Sequence, residues 1–156
     1  MRSLAAFATL LGLLGAAGGC SKSSGESKSS GESKSSAGGS APSSQAAPIP
    51  TISVDELEAR LARGDCRAVD ANGDATRRRL GVIPGAVLLS DYETFIPPRE
   101  LPADRSAGLV FYCANEHCGA SEEAAARAIT AGYTDVKVLP AGILGWKQAG
   151  KQTATL

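Results

Sequence analysis

Short apolar runs alternate with longer amphipathic stretches through residues 49–156, and this alternation predicts strands separated by helices. The predicted strands are 66–71, 87–89, 109–112 and 136–139. The predicted helices are 54–63, 74–80, 121–131 and 142–149. The run 109–112 is entirely apolar, as expected of a strand buried on both faces of a parallel sheet. Strands that alternate with helices predict a single α/β domain with a mainly parallel sheet.

The first helix carries start and stop signals at both ends. Ser53 can cap its N-terminus and Glu56, three residues later, can reach back, which is the pattern of a capping box. Ile52 and Leu57 have the spacing of a hydrophobic staple across the same cap. Gly64 is predicted to end the helix, because glycine readily adopts the left-handed conformation found after helix ends.

Two later segments can be assigned from their local signals. Ser121 is predicted to cap the helix 121–131, in which Glu122 and Glu123 would interact favourably with the helix dipole. Residues 93–107 are predicted to be irregular, because prolines interrupt them at three positions: Pro97, Pro98 and Pro102.

Residues 1–19 have the pattern of a secretory signal peptide. A basic start at Arg2 precedes the apolar stretch 4–14, and small residues follow. The next residue, Cys20, makes this arrangement resemble a bacterial lipobox, although Ala17 stands where leucine is commoner. That resemblance implies diacylation of Cys20 and a stable lipid anchor in the membrane. The alternative is an ordinary cleaved signal followed by a chance cysteine.

The segment 20–48 is predicted to be a disordered tether that follows the lipidated cysteine. The sequence SKSSGE occurs twice in it, and the remainder is rich in Ala, Gly, Ser and Pro, so it cannot bury a core. At roughly 5–6 Å × √n, about 28 such residues reach ~30 Å from a membrane surface. Ser21, by resemblance to lipoprotein sorting, favours the outer membrane. The expected location is therefore the bacterial cell envelope, anchored in the outer membrane and facing the periplasm, with the folded domain at 49–156.

Charge and composition exclude some classes of function. The chain has 16 basic and 16 acidic residues, and residues 49–156 have 12 and 14, a formal net charge of −2. A nucleic-acid partner is not expected, because phosphate binding needs a basic excess. Aromatic residues make up only 4%, so the core is predicted to consist of Ala, Val, Leu and Ile. Four cysteines are too few for a disulfide scaffold at this length.

The strongest candidate for chemistry is Cys113, directly after the apolar strand 109–112. Ligands of parallel sheets bind at the edge where the strands end. A loop around Cys113, with a helix N-terminus beyond it, would direct backbone N–H groups at the sulfur. We therefore expect a depressed pKa and a nucleophilic thiolate at neutral pH. The alternative is an inert cysteine buried in the core.

The predicted active-site loop contains several candidate side chains. Its members after Cys113 are Ala114, Asn115, Glu116, His117, Cys118, Gly119, Ala120 and Ser121. Cys118 could be a resolving thiol, half of a redox couple, a metal ligand with His117, or a small residue that fills the loop. His117 could stabilise the thiolate, donate a proton or face solvent. A metal site is not expected, since no cluster of further ligands accompanies the pair.

Cys66 and the arginines at 77–79 are expected to have structural roles and no part in the chemistry. Cys66 begins a predicted strand and is expected to be a semi-buried core residue. Arginines at 77–79 are expected to form a solvated helix face, and a role in steering anions is the less favoured alternative.

Four stretches together resemble the rhodanese-like sulfurtransferases, over nearly all of residues 50–150. They are Val69-Asp70-Ala71, residues 81–86 (GVIPGA), Tyr112-Cys113 with residues 121–125 (SEEAA), and residues 132–139 with 142–146 (GYTDVKVL and GILGW). The resemblance implies a central parallel sheet flanked by helices and no cofactor. It also implies that Cys113 accepts sulfane sulfur as a persulfide, from a small sulfur-containing donor, and passes it to a thiol or a cyanide-like acceptor. Asp70 would brace the loops.

The chain departs from that family pattern at three places. Asn72 stands where the family often has Arg, and Val82 stands where it often has His. No Lys or Arg lies between Cys113 and Ser121, which is eight positions later. Glu116 would repel thiosulfate, a dianion, which argues against it as the donor. The same loop argues against the related Cys-x5-Arg phosphatases, which need the Arg to bind phosphate.

Three functions follow from these residues. The leading one is a sulfurtransferase anchored in the envelope. The second is a thiol–disulfide redox protein that uses Cys113 and Cys118, and the third is a non-catalytic binding or sensor module with the same fold.

Overall fold

The computed structural model describes residues 47–156. The predicted signal peptide, the lipidated Cys20 and nearly all of the tether lie outside the described residues. The strands are β1 (Arg67–Asp70), β2 (Val87–Leu88), β3 (Leu109–Tyr112) and β4 (Val136–Leu139). The helices are α1 (Val54–Arg63), α2 (Asp74–Leu80), α3 (Pro97–Glu100), α4 (Ala120–Thr130) and α5 (Gly142–Gln148).

The four strands form one sheet in the order β2-β1-β3-β4, and every pairing is parallel. The register pairs Asp70 with Leu88 on one side and with Tyr112 on the other, and Tyr112 with Leu139. The carboxyl ends of all four strands therefore meet at one edge of the sheet. Cys113 follows β3 at that edge, next to the middle of the sheet.

Helices cover both faces of the sheet, which confirms the predicted α/β architecture. Leu109 and Phe111 of β3 belong to a cluster that includes three alanines of α4, whereas Val110 and Tyr112 belong to a second cluster. The second cluster includes Leu57 of α1 and two residues of α5, Ile143 and Trp146. All four residues of β3 are fully buried, as their apolar run predicted.

The end signals of α1 are confirmed. The Ser53 side chain accepts a hydrogen bond from the backbone N–H of Glu56 at 3.2 Å. Gly64 follows the helix with a φ of 74°, in the left-handed region. Ile52 and Leu57 are both buried in the same cluster, as the staple pattern predicted. The sequence thus determines where this helix begins and ends.

The prediction that 93–107 is irregular is wrong for one short piece, the helical turn α3. Pro97 and Pro98 occupy its first positions, where a helix needs no N–H donor, so the prolines start a turn here instead of preventing one. Among the described residues no helix is long and apolar enough to span a membrane, and α4, with 11 residues, is the longest.

Candidate active site

The site is a loop between the central strand β3 and helix α4. The chain leaves β3 at Tyr112, whose carbonyl oxygen accepts a hydrogen bond from the N–H of Ala71 at 2.9 Å. Cys113 comes next, and α4 begins at Ala120. The six residues between them, 114–119, form the loop that the sequence predicted at this edge.

The sulfur of Cys113 lies beneath this loop, and only 2% of the residue is exposed. The thiol donates a hydrogen bond to the carbonyl oxygen of Cys118 at 2.8 Å. The carbonyl oxygen of Asn115 lies 3.7 Å from Sγ, and the hydroxyl oxygen of Ser121 lies 3.4 Å from it. The sulfur therefore faces two carbonyl groups and one hydroxyl group.

This environment contradicts the predicted depressed pKa of Cys113. The pKa of Cys113 is raised to about 11, mainly by burial and also by its hydrogen bond to Cys118. The hydroxyl and backbone N–H of Ser121 act in the opposite direction. The thiol is thus the favoured form at neutral pH in this conformation.

The loop amides explain why the prediction failed. The N–H of His117 donates to Oδ1 of Asn115 at 3.1 Å, and the N–H of Cys118 donates to the Asn115 carbonyl at 3.1 Å. These amides therefore bond within the loop and do not stabilise a negative charge on the sulfur. Asn115 organises the turn that brings the Cys118 carbonyl towards Sγ.

Ser121 lies inside the first turn of α4 and not at its cap, so the predicted capping role is wrong. The N-cap position is Gly119, two residues before the predicted cap, and no side chain caps the helix there. Ser121 is 1% exposed, and its hydroxyl donates to Oε2 of Glu122 at 2.9 Å. Because Ser121 does not cap the helix, its hydroxyl group can lie beside the sulfur of Cys113.

The other predicted loop residues lie around the outside of the site. Glu116 and His117 are exposed, and the His117 side chain, 83% exposed, lies 3.7 Å from a Glu116 carboxylate oxygen. Cys118 is partly buried and packs against the core cluster that contains Cys113. All three cysteines among residues 47–156 are free thiols. No group of His, Cys, Asp and Glu in the same range could hold a metal ion.

Helix α5 holds the loop from the other side, a support that the sequence analysis did not identify. The N–H of Ile143 donates to the Cys113 carbonyl at 2.9 Å, and the N–H of Leu144 donates to the Ala114 carbonyl at 3.1 Å. Gly142 permits this approach, since a Cβ there would lie 2.5 Å from the Cys113 carbonyl oxygen. Gly142 was the sequence signal that could have indicated this close contact with the loop.

A pocket of about 270 Å³ lies between the loop and α5. Its walls are Asn115, Glu116 and His117 on the loop side, and Ala141, Leu144, Gly145 and Gln148 on the other side. Cys113 does not line it. A small molecule in this pocket would reach the sulfur only after a movement of the loop.

Asp70 connects three elements beneath the site. It is fully buried; Oδ2 accepts a hydrogen bond from the Tyr112 hydroxyl and Oδ1 accepts one from the N–H of Asn72, both at 2.7 Å. The Tyr112 hydroxyl in turn accepts a hydrogen bond from the N–H of Ile83 at 3.1 Å. Burial raises the pKa of Tyr112 far above its ordinary value, so the phenol stays protonated. These bonds tie the end of β1 to β3 and to the loop before β2.

Arg77 corrects the prediction of a solvated arginine face on α2. Only 5% of it is exposed, and Nη2 donates to the carbonyl oxygens of Asp70 at 3.0 Å and Leu89 at 2.8 Å. Its Nε lies 3.5 Å from Oδ1 of Asp70. Arg77 thus holds the ends of β1 and β2 together. Cys66, expected to be semi-buried, is buried directly before β1, and burial raises its pKa.

Comparison with known proteins agrees with this fold. The rhodanese-like domain family matches residues 53–149. No curated protein matches the chain. Among solved structures, a thiosulfate sulfurtransferase from Pseudomonas aeruginosa is 26% identical with a TM-score of 0.58, over 69% of this chain and 20% of that one.

Two single-domain structures are similar over most of their own lengths. The rhodanese-like domain of an Anabaena protein is 22% identical with a TM-score of 0.58, over 70% of this chain and 81% of that one. The human single-domain sulfurtransferase is 24% identical with a TM-score of 0.53, over 65% and 97%. The matched family, the parallel sheet and the position of the cysteine loop lead to one conclusion: this chain belongs to the rhodanese-like domain family.

Proposed function

We propose that this protein is a sulfurtransferase that carries sulfane sulfur on Cys113 as a persulfide. The observation that carries the proposal is the place of Cys113 in the fold, between the central strand β3 and helix α4, with Ser121 Oγ 3.4 Å from its sulfur. Two similar structures, from Pseudomonas aeruginosa and from human, are named as sulfurtransferases, which supports the same chemistry here.

The reaction has two covalent steps. The Cys113 sulfur attacks the sulfane sulfur of a donor and forms a bond with it. The bond between the sulfane sulfur and the rest of the donor breaks, and that remainder leaves as a sulfinate, a sulfite or a thiol. A thiol or a cyanide-like acceptor then removes the sulfane sulfur from Cys113. Because the pKa of Cys113 is raised to about 11, only a small fraction of it is thiolate at pH 7, which slows the first step. Ser121 is the neighbour whose hydroxyl and N–H groups stabilise the charge.

The charges near the site indicate the class of donor. No Lys or Arg lies between Cys113 and Ser121, and Glu116 faces the adjacent pocket. A dianion such as thiosulfate therefore meets the Glu116 carboxylate and no Lys or Arg of the loop. We propose that neutral or singly charged donors, such as organic persulfides and thiosulfonates, react faster than thiosulfate.

Mass spectrometry of Cys113 tests the proposal. The Cys118→Ser variant is treated with polysulfide or an aryl thiosulfonate, so that the neighbouring thiol cannot remove the acquired sulfur. The expected result is one added sulfur atom on the peptide that contains Cys113. The matched control, Cys113→Ser with Cys118 intact, should gain none there. If neither donor adds sulfur to Cys113, the proposal is wrong.

A second candidate function is thiol–disulfide exchange by Cys113 and Cys118. It is favoured by two observations: both cysteines are free thiols, and the Cys113 thiol donates a hydrogen bond to the backbone carbonyl of Cys118 at 2.8 Å. Titration of freshly isolated protein separates the candidates, because a redox protein of an oxidising compartment would have neither thiol free.

The third candidate is a non-catalytic binding or sensor module. It is favoured by the 2% exposure of Cys113 and by its raised pKa, both of which slow nucleophilic attack. A Cys113→Ser strain that keeps the biological output of the wild type would support this candidate.

We further propose that the domain is anchored in the cell envelope through a lipid on Cys20. The proposal rests on the apolar and small residues of 1–19, the cysteine after them and the Ser/Gly/Lys-rich segment that follows. Growth with a labelled fatty acid should label the wild-type protein, and Cys20→Ala should lose the label and the membrane association. A labelled Cys20→Ala protein would contradict the anchor.

A further inference from the structure

We propose that Cys118 resolves the Cys113 persulfide: it closes a Cys113–Cys118 disulfide and releases the sulfane sulfur as hydrogen sulfide. The inference rests on the proposed sulfurtransferase function and adds a second catalytic residue and a second product. The domain would then reduce sulfane sulfur at the expense of its own two thiols.

The loop already brings the two residues close enough for this bond. The Cys118 carbonyl oxygen lies 2.8 Å from Sγ of Cys113. Because a carbonyl oxygen is fixed relative to its own Cα by covalent geometry, the Cα of Cys118 lies within about 5 Å of that sulfur. In a disulfide the two sulfurs are about 2 Å apart, and the partner's Cα is only two bonds beyond its sulfur. The Cα of Cys118 is thus already near the Cys113 sulfur, and the disulfide forms once the loop turns the Cys118 side chain towards that sulfur.

The loop also shows how that adjustment can occur. The Asn115–Cys118 turn is closed by one backbone hydrogen bond of 3.1 Å. Residues 116 and 117 at its tip are exposed, and no side chain caps α4 at Gly119. The segment that carries Cys118 can thus move without breaking contacts of the sheet, whereas the Cys113 carbonyl is held by Ile143.

Exposure favours the internal thiol over an external acceptor. Cys113 is 2% exposed, so a sulfur atom attached to it is shielded from large nucleophiles. Cys118 is partly exposed and packs against the same core cluster as Cys113. A thiol held beside the persulfide reacts as an intramolecular partner, at an effective concentration far above that of a free acceptor.

The step balances in atoms and electrons. The Cys118 sulfur attacks the inner sulfur of Cys113–S–SH, the new S–S bond forms, and the old one breaks with its electron pair on the outer sulfur. That sulfur leaves as hydrosulfide and becomes hydrogen sulfide with the proton released by Cys118. Two cysteine thiols are oxidised to a disulfide, and one sulfane sulfur is reduced to sulfide. A dithiol reductant then regenerates both thiols by attack on the more exposed Cys118 sulfur.

The experiment follows sulfide release from an aryl thiosulfonate, whose leaving group is a sulfinate, so that any sulfide must come from the protein persulfide. Wild-type protein without reductant should release about one equivalent of sulfide and acquire a Cys113–Cys118 disulfide. The Cys118→Ser variant should keep the added sulfur on Cys113 and release less than a tenth of that sulfide. Cys66→Ser, altered just before β1 and so at the edge of the sheet opposite the site, is the matched control and should behave as the wild type.

The outcomes separate the two proposals. If wild-type protein keeps its persulfide as long as Cys118→Ser does, and no disulfide forms, the resolving role is wrong and the sulfurtransferase proposal stands. If Cys118→Ser acquires no sulfur on Cys113, the sulfurtransferase proposal fails, and this inference fails with it.

Discussion

The hydroxyl group of Tyr112 donates a hydrogen bond to Oδ2 of Asp70 across 2.7 Å, although the two residues are 42 positions apart in the sequence. Both side chains are fully buried, and both stand at the carboxyl ends of neighbouring strands. Tyr112 immediately precedes Cys113, so this bond fixes the point from which the active-site loop departs.

Replacement of Tyr112 by Phe should therefore destabilise the domain by about 1–3 kcal/mol, because Asp70 Oδ2 and the Ile83 N–H each lose a buried partner. Urea unfolding measures the change. Tyr92→Phe is the matched control: its hydroxyl bonds to Glu93 at the surface, and its loss should cost less than about 0.5 kcal/mol. Equal losses in the two variants would contradict the structural role of Tyr112.

The two neighbouring arginines of α2 should behave in opposite ways. Arg77→Ala leaves Asp70 as a buried carboxylate without its cation and frees two strand-end carbonyls, so we expect a loss of about 3–5 kcal/mol. Arg78, whose side chain is 68% exposed, should tolerate Ala with a change below about 0.5 kcal/mol. Thermal or urea unfolding of both variants checks the contrast, and a stable Arg77→Ala protein would refute it.

Gly142→Ala should disturb the active-site loop more than its backbone angle alone predicts. The φ of Gly142 is +58° and a Cβ would lie 2.5 Å from the Cys113 carbonyl oxygen, whereas Gly150 has a φ of +75° and open space. Gly150→Ala should cost about 1–2 kcal/mol and leave Cys113 reactivity unchanged. Gly142→Ala should cost about 3–4 kcal/mol and alter that reactivity. Similar alkylation rates at Cys113 in both variants would argue against support of the loop by α5.

The reactivity of Cys113 should increase steadily with pH. Its pKa is raised to about 11, so the unreactive thiol persists through neutral pH and the thiolate gains about tenfold per pH unit as pH rises towards 11. Site-resolved alkylation with iodoacetamide between about pH 7 and pH 10 measures this slope. A plateau already near pH 7 in the wild type would contradict the raised pKa.

Ser121→Ala should slow sulfur acceptance without unfolding the helix. The Ser121 hydroxyl lowers the pKa of Cys113, so its removal should raise that pKa and reduce the rate of persulfide formation about three- to tenfold at neutral pH. Helix α4 should keep its stability, because Ser121 does not cap it. A large drop in the urea midpoint with no change in rate would assign Ser121 a structural role instead.

Apart from the turn α3 and the first residues of α4, the sequence was sufficient for the elements of the fold, because their signals are local. The bounds of β3 and α2 match the predicted runs 109–112 and 74–80. Helix α1 begins after Ser53 and ends before Gly64, as predicted. Hydrophobic periodicity, helix caps and turn residues each determine local structure within a few positions of the chain. The apolar runs indicate which strands are buried on both faces.

The environment of the sulfur could not be predicted in the same way. Whether peptide N–H groups or carbonyls face Cys113 depends on the Asn115 side chain and on α5, almost thirty residues later in the chain. In the same way, nothing in a run of three arginines shows that Arg77 is the one that turns inward to Asp70 and Leu89. Such features depend on tertiary contacts between distant segments.

The deep position of Cys113 determines how its oxidation state has to be measured. With 2% of Cys113 and 7% of Cys66 exposed, bulky maleimides applied to the native domain would modify mainly Cys118. A low thiol count from such reagents would then look like oxidation even in a fully reduced sample. Quenching in acid, followed by unfolding before labelling, gives the true number of thiols and distinguishes shielding from chemical change.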